Sequence, residues 1–254
     1  MKVRPDKGPQ TNDVPPYRVN GSGPLFVYIA GLDGTGELFF KQASKLAESY
    51  RVVAFRSREG GAFSYDDLTA DVAAIIEDNG ETRATILGES FGGTVALSFA
   101  LRYPAMVERL VIVNSFPRFR RQLLINLGAW LAAVLPFSTT WLARSSASFL
   151  GLLADGVTRE DRRRFFAAIR TVRRDAYARR LKLISEFNVE DRLREIQTPT
   201  LFIAGEKDLL IRSSFEAREM ARRMPRAVVR VIEGAGHACL MGHRVNVAQL
   251  LEEM

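Results

Sequence analysis

The chain has 254 residues, 47% apolar and 26% charged, a size and balance that suit one α/β domain with an insertion and argue against a disordered, fibrous or membrane-integral protein. Its net charge of +7 is unevenly placed: positions 116–195 hold sixteen Lys and Arg against eight Asp and Glu, and the rest is close to neutral. One cysteine, Cys239, excludes an internal disulfide and a cysteine-built metal site, and with only His237 and His243 beside it no metal or other cofactor is expected.

The N-terminal "MKVRPDKGPQTNDVPP" carries basic residues with no apolar run behind them, which does not read as a secretory signal. With the single cysteine, that points to a cytoplasmic protein. Short β-rich runs then alternate with helical patterns. "LFVYIA" (25–30), "RVVAF" (51–55), "RATILG" (83–88), "RLVIVN" (109–114), "TLFIAG" (200–205) and "VVRVIEG" (228–234) read as strands, and helices are expected over 37–49, 65–79, 91–102, 213–223 and 244–253. Such alternation predicts an α/β fold with a predominantly parallel sheet, helices on both faces, and ligands bound beyond the carboxyl ends of the strands.

Positions 116–195 break the alternation. This stretch has no convincing strand and is expected to be an all-helical cap inserted into a core formed by 1–115 and 196–254. Its first part, 122–143, is uncharged, but Pro136 divides it and Gln122, Asn126, Gly128 and Ser138 dilute it, so apolar cap packing is expected rather than a membrane span. Its second part, 159–187, is a basic amphipathic pattern: Phe165, Ile169, Val172, Ala176, Leu183 and Phe187 recur at helical spacing, while Arg162, Arg163, Arg170, Arg173, Arg174 and Arg180 fall on other faces expected to be solvated. Peripheral contact with a membrane or lipid through this basic cap is a conceivable second role; nucleic acid is not the expected partner.

The chemistry lies in three loops. "TILGESFGG" runs from a strand into a helix through Gly88, Ser90 and Gly92, a Gly-x-Ser-x-Gly turn whose small residues allow tight packing and leave the Ser90 hydroxyl strained and exposed. A serine hydroxyl needs a base, and His237, in the glycine-rich "GAGHA" after the last strand, sits at the edge where Ser90 should emerge. His243 reads instead as a surface or capping residue. The base needs a carboxylate, for which "GEKDLL" offers Asp208, deeper in its loop than the competing Glu206. "YIAGLDGTG", after the first strong strand, can leave backbone N–H groups facing a cavity, and those of Leu32 and Phe91 are the expected oxyanion donors. A phosphate-binding reading of that segment fits neither a Lys-bearing P-loop nor a clean Gly-x-Gly-x-x-Gly.

With serine, acid and histidine in that chain order, the sequence resembles the α/β-hydrolase superfamily over nearly its whole length, from Leu25 to Leu251. The resemblance implies Ser90 as nucleophile, Asp208 as acid, His237 as base and the helical insertion as a cap. Many members carry His-Gly in the oxyanion loop where this chain has Ala30-Gly31, and its "GLDGTG" looks similar to the loop of thioesterases and of the plastid phytyl-ester synthase type of acyltransferase. The expected function is a carboxylesterase or lipase-like serine hydrolase acting on a small-molecule ester with an apolar acyl or alcohol part, its activity falling below about pH 6 as His237 protonates. Acyl transfer to an alcohol by the same machinery, and a non-catalytic protein binding membranes or anions, are the alternatives.

Overall fold

The continuous apolar runs of the sequence become strands buried on both faces. The structure, a computed structural model, describes residues 2–3, 14–120 and 157–254. Eight strands, β1 (Lys2–Val3), β2 (Tyr17–Asn20), β3 (Leu25–Ile29), β4 (Arg51–Phe55), β5 (Ala84–Glu89), β6 (Val107–Val113), β7 (Thr200–Gly205) and β8 (Ala227–Ile232), form one sheet in the order β1-β2-β4-β3-β5-β6-β7-β8. From β4 to β8 every pairing is parallel, while β1 and β2 add an antiparallel edge. Every residue of β3, β5 and β7 is buried, whereas the edge strand β8 is half-buried throughout.

Because side chains alternate across a strand, each run feeds two layers. Val27, Ile29, Val53, Ile86 and Phe202 pack on one face with helices α2 (Tyr65–Asp78), α3 (Phe91–Arg102), α5 (Arg174–Glu186) and α6 (Ser213–Ala221). Phe26, Tyr28, Val52, Leu87 and Leu201 pack on the other with α1 (Phe40–Leu46) and α7 (Val247–Glu252). The chain leaves β3 for β4 on one side and returns to β5 on the other, so the order reverses between β3 and β5. The loops after these two strands therefore diverge and open a crevice at their carboxyl ends.

Several boundaries differ from expectation for local reasons. The 37–49 helix opens as a 3-10 turn, Glu37–Phe39, before α1. The last helix starts at Val247 rather than 244, because the Asn246 side chain accepts from the Gln249 N–H and caps it there. The 159–187 pattern is two helices, α4 (Arg159–Arg170) and α5, separated where Arg173 turns to an extended backbone. A capping box between Thr158 and Asp161 starts α4. The uncharged run 122–143 lies outside the described residues, as does most of the first half of the expected cap. Among the described residues no helix is long and apolar enough to cross a membrane.

Candidate active site

The turn that joins β5 to α3 has a constrained backbone. Ser90 sits at φ 54° and ψ −116°, a conformation that side chains rarely adopt and that persists only under tight surrounding contacts. Those contacts are backbone on backbone: a Cβ at Gly88 would collide with Gly92, and one at Gly92 with the Ile29 and Ala30 carbonyls. Glycine at both positions is thus what lets the strand and helix meet. The Ser90 N–H donates to the Val113 carbonyl at 2.9 Å, and the Ser90 carbonyl accepts from the Ser115 hydroxyl at 2.8 Å.

The three side chains singled out in sequence meet at this turn. Ser90 Oγ lies 2.9 Å from His237 Nε2, and His237 Nδ1 lies 2.7 Å from Asp208 Oδ2. His237 and Asp208 are both buried. Burial works against both charged forms, but mutual attraction outweighs it: the carboxylate lifts His237 above its ordinary value near 6.5, and the imidazole holds Asp208 below the usual carboxylate range. Asp208 is fixed further by the Ser213 hydroxyl and by the Leu210 N–H at 2.9 Å. Glu206 is not part of this arrangement. It is exposed and accepts from the Gly234 N–H at 2.9 Å, tying down the turn after β8. His243 is exposed.

Opposite the histidine, the loop after β3 runs past Ser90. A Cβ at Gly31 would stand 3.5 Å from Ser90 Cβ, so this backbone passes one methyl's breadth from the serine. Leu32 follows, and Phe91 opens α3, where the first N–H groups of a helix have no partner within it. Asp33 is buried and turned inward on its own loop, accepting from the Thr35 N–H and hydroxyl at 2.9 and 2.6 Å.

Four residues around this centre carried no usable signal in the sequence. Asn114, at φ 46° just past β6, accepts from the Gly205 N–H at 2.8 Å and donates to the Gly236 and His237 carbonyls at 3.2 and 2.5 Å. It brackets the histidine loop to the end of the strand that leads to Asp208. Glu89, one residue before Ser90, is buried against the Tyr28 hydroxyl at 2.6 Å, and burial pushes its carboxyl up to about 7. Ser213 holds Asp208 as described. The fourth, Arg180, was expected on a solvated face; it is fully buried, because α5 packs between the core and the loop after β3. On the other side, α4 places Phe165 and Ala168 against Ala238 and Met241, beside His237.

Among the described residues no group of three or more His, Cys, Asp or Glu could hold a metal ion. The profile of the alpha/beta hydrolase fold family matches residues 24–243. Curated relatives include "Putative carbamate hydrolase RutD" of Serratia proteamaculans, 27% identical with 85% of this chain and 84% of that protein covered, and its namesake of Escherichia coli O17:K52:H18, also 27% identical, covering 93% and 88%. Similar solved structures include an esterase from Exiguobacterium antarcticum (TM-score 0.83, 19% identity, 94% of each chain) and MenH from S. aureus (0.81, 19%, 93% and 98%). The enol-lactonase from Burkholderia xenovorans LB400 also superposes, with a TM-score of 0.74 at 22% identity over 93% of each chain. At these identities the structural likeness speaks for the fold.

Proposed function

The chain belongs to the alpha/beta hydrolase fold family, and on that premise we propose that it is a serine hydrolase that cleaves carboxylic esters through an acyl-enzyme. The single observation that carries this reading is the unbroken hydrogen-bonded line from Ser90 through His237 to Asp208. In the proposed reaction His237 Nε2 takes the Ser90 proton as Oγ attacks the ester carbonyl, and Asp208 stabilises the imidazolium that results. The N–H groups of Leu32 and Phe91 hold the oxyanion. Collapse breaks the bond to the alcohol, which leaves with the proton from His237. A water activated by the same base then attacks the acyl carbon and releases the acid. The helices between β6 and β7 act as a cap over this centre and select the substrate.

Carbamate cleavage is the second reading, favoured by the names of the curated relatives. The same serine would attack a carbamoyl carbonyl, and the same donors would serve. Hydrolysis of p-nitrophenyl esters from acetate to palmitate and of p-nitrophenyl carbamates, with Ser90→Ala alongside, tests both. The expected result is ester turnover that drops by about four orders of magnitude or more in the variant. Turnover confined to carbamates would favour the second reading, and equal activity of variant and wild type would remove Ser90 from the mechanism.

A further inference from the structure

Among the described residues Arg180 is the largest fully buried side chain, and its guanidinium is spent on main-chain carbonyls. From α5, Nη1 donates to the Leu32 carbonyl at 3.1 Å and the Asp33 carbonyl at 3.3 Å, and Nη2 donates to the Arg58 carbonyl at 3.0 Å. Among the described residues it forms no ion pair and its Nε has no acceptor. Burying a cation is costly even with a carboxylate partner, and here burial drags the guanidinium below its ordinary value. The charge is retained where it does one thing a hydrocarbon cannot, which is to grip three carbonyls in a fixed planar fork.

The loop is shaped around that fork. Gly34 has φ +64°, and a Cβ there would run into the guanidinium, with Nη1 at 2.8 Å and Nη2 and the central carbon nearer still. The same turn is closed by the Gly34 N–H on the Gly31 carbonyl at 3.0 Å and by the Ser57 N–H on the Gly34 carbonyl at 2.8 Å. Gly31, at one end of the turn, lies beside Ser90, with room for one methyl between them. The Leu32 N–H shares its peptide plane with the Gly31 carbonyl, which the Gly34 N–H holds, and the next peptide plane is held at the Leu32 carbonyl by Arg180, which together leave that N–H little freedom of direction.

We propose that Arg180 is a positioning residue: it pins the loop 31–34 so that the Leu32 N–H points at the oxyanion, and so makes a helix of the insertion part of the machinery for transition-state stabilisation. The proposal rests on the serine-hydrolase reading for the role of Leu32, but the pinning itself stands on the hydrogen bonds alone. An oxyanion donor acts only when aimed beforehand, and an error of an ångström in such a group costs about 10²-fold in rate.

Two measurements on Arg180→Met and Arg180→Lys test it, with thermal unfolding run first to identify the folded variants. The first is steady-state ester hydrolysis. The expected result for Arg180→Met is a kcat about 10²-fold lower with KM changed less than threefold, and for Arg180→Lys a smaller loss, because one ammonium keeps the charge but not the fork. The second is amide hydrogen exchange of the peptide covering 31–36, which needs no substrate; exchange there should rise in Arg180→Met while the β5–α3 peptide stays protected. A folded Arg180→Met with wild-type kcat, or with a raised KM alone, overturns the catalytic role, and unchanged exchange at 31–36 overturns the pinning. Should Arg180→Met not fold, Arg180→Lys is read by the same criteria. Wild-type enzyme without ester turnover would count against the hydrolase reading and not against the pinning, which exchange decides separately.

Discussion

At the scale of single residues, two buried carboxylates bear on one histidine. Asp208 lifts His237 above 6.5, and Glu89, itself pushed up to about 7, contributes in the same direction. With His237 as the base of the proposed reaction, a raised pKa means that the base is lost earlier on acidification, so kcat/KM should fall as pH drops through a value above 6.5 rather than below pH 6. Protonation of Glu89 over the same range removes a charge that favours the imidazolium, so the limb should be shallower than a one-proton titration. Glu89→Gln is expected to steepen the limb and move it to lower pH; a pH–rate profile of the two proteins identical in slope and midpoint would exclude the coupling. The stability contribution has the opposite sense: the folded state holds the His237 proton more tightly than the unfolded chain, so that stabilisation is present below the ordinary histidine value and lost as pH rises through the folded one. Ser90, His237 and Asp208 were legible because each is a chemically marked residue in a loop straight after a strand. Asn114 was not, since nothing in a lone asparagine shows that its amide will span two loops.

Among elements, the two helices α4 and α5 show where periodicity misleads. Their apolar positions were readable, and Phe165, Val172, Ala176, Leu183 and Phe187 are buried. Amphipathic spacing assumes that one side of a helix meets water, and for α5 that fails at Arg180, where a second surface, the loop after β3, closes over the polar side. The connection at 171–173 was equally hidden, because Thr171 and Val172 do not by themselves end a helix. α4 docks through Phe165 and Ala168 on the segment that follows His237, and an ion pair of Lys41 with Asp161 at 2.5 Å ties its first turn to α1. Phe165→Ala should therefore cost about 3 kcal/mol, at the low end for a buried phenylalanine, and lower kcat through the histidine loop as well as the urea midpoint. Loss of stability with full kcat would mean that α4 is packing alone.

For the molecule as a whole, the sheet was legible from alternation because each central strand is a continuous apolar run, fed to two layers by its own pleat. What the sequence left open was the antiparallel edge: β2, "YRVN", is four residues long and half-exposed, too short and too polar for a pattern to form. The charge asymmetry carries over into the fold. Its basic excess belongs to the segment between β6 and β7, whose described helices stand beside the loops of the candidate site. A field of that sign draws anions toward the crevice over roughly a Debye length. An ester bearing a carboxylate should thus show a kcat/KM that falls several-fold between about 10 mM and about 300 mM salt, while an uncharged ester of the same size stays constant. Equal salt profiles would place the positive charge away from the approach path.

The bracket formed by Asn114 also fixes the one thiol of the chain. Cys239 is buried two residues after His237, its Sγ 3.3 Å from Asn114 Nδ2, and burial pushes the thiol well above its ordinary range. An alkylating reagent can reach it only when the histidine loop lifts away, so the labelling rate is a clock for that opening, set by the fraction of time the loop spends detached. In native buffer iodoacetamide should modify the protein at least about 10³-fold more slowly than a free cysteine. In dilute urea the rate should climb in step with loss of turnover and ahead of global unfolding. The protein would then report, through a sulfur outside the proposed triad, how often His237 is out of place.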